Sequence, residues 1–238
     1  MVGPDDPVIA RMQALIRRWE TAANPQAIFL SCYRMMTSNM LAAIDRREFQ
    51  DPAWVDVLLR HFADYYFVAL EAYEQEPPEA PPVWQLAHDT TQDSKTLPIQ
   101  NLLLGVNAHI NYDLVLTLVD LLRSEWADLS AEQRAARYND YCHVNAIIAG
   151  TIDEVQDQVL EPAMPAMELI DKLLGPFDEL MISRLINQWR ETVWQHACRL
   201  LEATADHERD QLLQQVEEEA LELGRLISWE NSRRSGLK

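Results

Sequence analysis

Residues 98–123 read PIQNLLLGVNAHINYDLVLTLVDLLR. The stretch is apolar nearly all the way round, which marks a helix buried on every side rather than an amphipathic surface helix. Within it Asn107, His109, Asn111 and Asp113 alternate with apolar residues. Alternation alone suggests a strand, but the apolar run is too long and contains no turn signal, so helix is the better reading. Pro98 suits a first helical turn, and one buried central helix is predicted over 98–126. On a helix, residues two apart point about 200° from one another and residues four apart stack. Asn107 and Asn111 therefore form one polar stripe, and His109 and Asp113 form another; Gly105, one turn before His109, leaves space beside it. An imidazole and a carboxylate on a buried helix are costly unless they are paired or bind something.

The helical period continues on both sides. Pro7 opens a helix to about residue 23, with Ile9, Met12, Ile16 and Trp19 on one stripe. Asn24-Pro25 starts a second to about Arg46, and Asp51-Pro52 a third to about Glu74, through Trp54, Val57, Leu58, His61 and Tyr65. Residues 75–97 are a proline-rich connection and loop around a short helix at 83–90. Ser130 with Gln133 caps a helix to about Leu160, which Pro162 and Pro165 break. A short piece at 166–173 stops at Gly175-Pro176, and long helices follow over 177–204 and 207–231. The prediction is an all-α fold, a single-domain bundle of seven to nine helices spanning 1–238. The last helix, through Leu212, Val216, Leu223 and Ile227, would dock on the body or on another copy of the chain, making a homo-oligomer.

Composition narrows the function classes. Lys and Arg number 20 against 38 Asp and Glu, a net charge of −18. So acidic a surface repels phosphate backbones and anionic lipid, so neither nucleic acid nor a membrane is an expected partner. A hydrophobic share of 48% with 24% charged residues excludes general disorder, and only 6 Gly argue against a glycine-rich phosphate loop. No run reaches the ~18–20 uninterrupted apolar residues of a membrane span, and the acidic N-terminus does not read as a signal peptide, so a cytoplasmic protein is expected. Cys32, Cys142 and Cys198 are far apart and form no CxxC pair, the pattern of reduced, half-buried thiols.

The i,i+4 spacing of His109 and Asp113 lets both side chains reach one divalent ion, or makes them an acid/base pair facing a polar cavity. The competing reading is a satisfied buried network, with the asparagine amides tying neighbouring helices and Asp113 paired to an arginine. Arg190 is the natural candidate for that arginine, facing Asp113 or Asp64; its guanidinium would equally suit a substrate carboxylate or phosphate. Asp140 and His143 lie three apart near Asn139 and Asn145, and His61 and Asp64 repeat that three-residue spacing. His196 reads as a core histidine, and His88 and His207 as solvated.

At these residues the sequence resembles the uncharacterised bacterial family DUF5995. The motif that carries the resemblance is Asn107-Ala-His109-Ile-Asn111-Tyr-Asp113-Leu114, preceded by Leu-Leu-Leu-Gly105-Val. Supporting matches are Tyr33 and Thr37, Phe62-Ala63 with Tyr66-Phe67, Pro82 and Trp84, Val144-Asn145, and Arg190 four residues before Trp194. Together they cover roughly residues 28–200. The resemblance implies a site at Asn107, His109, Asn111 and Asp113 and does not extend it to His61 or His143; it carries no activity.

Two readings follow. In one, the chain is a helical enzyme acting on a small molecule by hydrolysis or proton transfer. Its pocket is lined by His109, Asp113, Asn107, Asn111, Tyr66, Asn145 and Arg190, with His109 as base or metal ligand, Asp113 as orienter or co-ligand, and a divalent metal ion as cofactor. In the other, the chain is a non-enzymatic ligand-binding or scaffold protein, and the same motif is a structural hydrogen-bond network.

Overall fold

The computed structural model describes residues 6–163 and 179–234. Helices begin where capping residues supply acceptors for their first N–H groups. Asp6 accepts from the Val8 amide at 2.9 Å and Pro7 opens α1 (Pro7–Thr21). Asn24 accepts from the Gln26 amide at 3.0 Å and starts α2 (Gln26–Asp45). Asp51 accepts from the Trp54 amide at 3.0 Å at the head of α3 (Pro52–Gln75). Ser130 and Gln133 form the expected capping box of α7 (Ala131–Ala149). Between them run a 3-10 turn (Pro77–Glu79), α4 (Pro82–Thr90), α5 (Pro98–Asn107), a π-helical turn (Ala108–Asp113) and α6 (Leu114–Leu122). The chain continues through α8 (Ile152–Val155), a π segment (Gln156–Leu160) and α9 (Glu161–Ala163), then α10 (Glu179–Glu202) and α11 (Asp206–Arg234). The described residues form helices and no strand, an all-α fold.

Two boundaries differ from the expectation. The central helix over 98–126 is α5, a π turn and α6, with helix ending at Leu122. The π turn falls on the alternating polar residues, where two side-chain pairs have to be closed inside the core. The helix expected to reach Leu160 stops at Ala149, because Gly150-Thr151 carries little helix propensity and Thr151 is fixed by the Asn39 amide, which donates to its hydroxyl at 3.0 Å. The short piece expected at 166–173 lies outside the described residues.

Packing gathers the chain into two compact units, each made of two separate lengths: Met1–Leu59 with Leu129–Gln188, and Arg60–Asp128 with Trp189–Lys238. In the first, α1 packs on α2 and α2 on α7. The buried Asp140 carboxylate accepts the Gln50 and Asp51 amides at 2.7 and 2.8 Å. Arg137 donates to Asp51 at 2.6 Å and lies 5.0 Å over the Trp54 ring, bracing the start of α3.

In the second unit, α11 packs on α4, α5 and the π turn. Two side-chain amides fix it there. Gln100 donates to the Ile227 carbonyl at 2.8 Å, and Asn107 donates to the Ala220 carbonyl at 2.8 Å. Gly224, between those carbonyls, permits the close approach: a Cβ there would stand 2.9 Å from Leu86 Cδ2 and 3.3 Å from Asn107 Nδ2. The span Pro98–Leu122 has the length and mean hydropathy (1.4) of a membrane-crossing helix, but 67% of its most apolar window is buried within the protein, as a core helix is.

Candidate functional site

The two i,i+4 pairs of the motif close in the second unit. Asn111 donates to Asn107 Oδ1 at 2.9 Å. His109 Nδ1 and Asp113 Oδ2 lie 2.9 Å apart in a hydrogen bond. The π turn carries His109, Asn111 and Asp113, directly after Asn107 at the end of α5: the Leu114 amide donates to the His109 carbonyl, five residues back, and Thr117 Oγ1 donates to the Asp113 carbonyl at 2.8 Å. Such turns insert one residue into a helix and recur at functional sites.

Asp113 has a second partner, on α4. The Trp84 indole N–H is shared between its two carboxylate oxygens at 3.1 and 3.0 Å. Aromatic rings enclose the imidazole. Phe62 of α3 stacks flat on His109 with centroids 3.6 Å apart, and Tyr66 meets it edge-on at 6.0 Å. Trp84 lies 6.2 Å from His109 and 5.3 Å from Tyr66. His88, one turn after Trp84, stacks on it at 5.3 Å and meets Tyr73 at 4.7 Å.

The pair is sealed: Asn107 is 0% exposed, His109 3% and Asp113 1%. Burial sets the protonation. It pushes the Asp113 carboxyl well above its ordinary range, against the pull of the Trp84 N–H, and holds the His109 imidazole well below its own. A protonated carboxyl beside a neutral imidazole and a carboxylate beside an imidazolium carry the same net charge. In an apolar box the first is favoured, because neither partner is then charged. The geometry thus holds one proton between an oxygen and a nitrogen. It leaves no room for an ion between those two atoms, since two ligands of one zinc ion stand about 3.4 Å apart at ~2.0–2.1 Å from the metal. Among the described residues, no group of three or more His, Cys, Asp or Glu side chains is arranged to hold a metal ion.

The other candidates fall in different places. Tyr66 is buried beside the pair, and Asn111 is half-buried at its edge. Arg190 is buried on α10 in the same unit, but Asp113 meets Trp84 and His109 in place of the expected arginine, because the short α4 points its indole at that carboxylate. Asn145 is half-buried on α7, which belongs to the other unit. Asp140 and His143 serve separate contacts: Asp140 holds backbone amides, and His143 faces Glu48 at 3.6 Å and the edge of Phe49 at 5.2 Å. Asp64 is exposed, and His61 faces Asp120. His196 is half-buried, 3.5 Å from Glu219. His88 is not solvated as expected; the register of α4 turns it to the inside, where burial lowers its pKa to about 4. The cysteines are half-buried, and burial raises the Cys32 thiol to about 12.

Sequence reasoning did not place Phe62, Trp84 and His88 at the site. The available signal was Trp84 and His88 four apart on a short helix, one aromatic face that must cover something.

The family model described as DUF5995, a family of unknown function, matches residues 6–229. No curated protein and no solved structure matches the chain.

Proposed function

The chain belongs to DUF5995, whose function is unknown, and from that premise we propose that it is a non-enzymatic helical scaffold in which the Asn107–Asp113 segment is a structural hydrogen-bond network. One observation carries this reading: Asn107, His109 and Asp113 are buried together, His109 and Asp113 engage each other and Trp84 of α4, and Asn107 engages the Ala220 carbonyl of α11. Buried polar networks with their partners in place fix one packing arrangement out of several. Here three separate helical segments are held in register.

The test is solvent access. Diethyl pyrocarbonate treatment of the folded protein, read by peptide mass spectrometry, should modify His61 and His207 and leave His109 unmodified until denaturant is added. Reaction of His109 at the rate of His61 would sink the sealed-network reading.

A specific observation favours a second reading. The π turn and a carboxyl held protonated beside an imidazole are what general acid/base chemistry uses. Under it the chain is an enzyme acting on a small molecule by hydrolysis or proton transfer. His109 is the base, Asp113 orients it, and Asn107, Asn111, Tyr66 and Arg190 position the substrate once the aromatic cover opens. Modification of His109 in the folded protein would move the assignment to this reading.

A further inference from the structure

Three rings enclose the His109 imidazole, and they differ in what lies behind them. Tyr66 and Trp84 are each 1% exposed, so protein stands beyond both. Phe62 is half-buried and reaches the surface. It sits at the margin of the inward face of α3, where Ala63 and Tyr66 are buried while His61 and Asp64 reach solvent. Its ring lies flat on the imidazole, with centroids 3.6 Å apart and planes 5° from parallel. On that side the wall between His109 and water is one ring thick.

The three walls also differ in what moving them would break. Turning Trp84 out takes a wholly buried indole into water and strips its N–H from both Asp113 oxygens. Turning Tyr66 out exposes a ring that is likewise wholly buried. A phenyl ring has no hydrogen bond to lose, and Phe62 is already partly in water. A helix offers a long side chain two χ1 wells, so this ring can leave the imidazole with the α3 backbone unchanged.

We propose that Phe62 is the gate of the His109–Asp113 pair: rotation of this one side chain opens the imidazole face to solvent, while α4 stays in place with Trp84 and His88. The proposal rests on the acid/base reading, which needs the aromatic cover to open, and it names the ring that opens. The space so vacated is a flat slot, and a planar molecule entering it would stack on His109 as Phe62 does.

Diethyl pyrocarbonate labelling of the folded, full-length chain, read by peptide mass spectrometry, tests the gate through three histidines. His207 is exposed and sets the reference rate. His88, 4% exposed and stacked on Trp84, reports opening of the unit as a whole. In Phe62→Ala the His109 rate relative to His207 should rise about tenfold or more over the parent, with His88 unchanged. Phe62→Leu, a milder change should alanine unfold the chain, gives a smaller rise of the same kind. Circular dichroism establishes that each variant is folded. A folded Phe62 variant in which His109 keeps the parent rate overturns the proposal, as does one in which His109 and His88 rise together. The parent's own His109 rate tests the acid/base reading, so either can fail without the other.

Discussion

His109–Asp113 and His61–Asp120 are the same two chemical groups in one unit, and adjacent residues of α3 touch them: Phe62 covers the first imidazole, and His61 is the second. The first pair is closed at 2.9 Å behind aromatic rings; the second is open at 3.7 Å and half in water. What separates them is solvation rather than chemistry. Where water is excluded, the groups must satisfy each other, and their proton affinities move to keep both neutral. Where water reaches them, each is already solvated, and their attraction contributes little to stability.

The comparison breaks most sharply at the buried carboxylate. Asp113→Ala leaves the Trp84 N–H and His109 Nδ1 facing a cavity and should cost about 3–5 kcal/mol, read as a fall in the urea midpoint. A loss below about 1 kcal/mol would mean that water already reaches the pair.

The next effect is a pH dependence. His88 in the folded protein titrates near 4, and an unfolded histidine near 6.5. Between those values the unfolded chain binds the extra proton, so stability falls as pH drops from 6.5 towards 4, by up to about 3 kcal/mol at 1.4 per unit. His88→Gln should remove that slope from unfolding curves recorded across the window. The His109–Asp113 pair works differently. Burial raises the carboxyl, which favours the folded state at low pH, and lowers the imidazole, which favours it at high pH, so the two contributions oppose each other.

Asn107→Ala removes the donor to the Ala220 carbonyl and the acceptor for Asn111 at a fully buried position. About 2 kcal/mol should be lost, with faster hydrogen exchange confined to α11 and the α5 end. The smallest effect belongs to the exposed pair: Asp120→Asn should change the unfolding free energy by no more than about 0.5 kcal/mol. A larger loss there would remove the contrast between the pairs.

Much of this was legible in the sequence, because helix starts depend on local chemistry. Asn24, Asp51 and Ser130 cap where proline and small polar residues announced them, and the first helix opens at Pro7. The two stripes of the motif were legible too, since i,i+4 contact is a property of the helix itself. Trp84 as the partner of Asp113 was not, because that contact joins residues 29 apart and depends on how α4 lies. The π turn was hidden for a related reason: an inserted residue leaves composition and period nearly unchanged. His88 misled because its neighbours TTQDSKT read as loop, while the register of the short helix places it inside.

The grip on α11 also limits how this chain can vary. Gln100 and Asn107 are seven residues apart, as are the carbonyls of Ala220 and Ile227 that receive them. Seven residues is nearly two full turns, so both amides meet α11 on one line. These four positions are marks along the two helices, and Gly224 between the second pair is held by close approach as well. A single residue inserted or deleted between either pair of marks turns one end about 100° round its helix, and the two contacts can then no longer be made together. Homologous chains that keep this clamp should therefore align through both segments without a gap, however far their other residues have drifted.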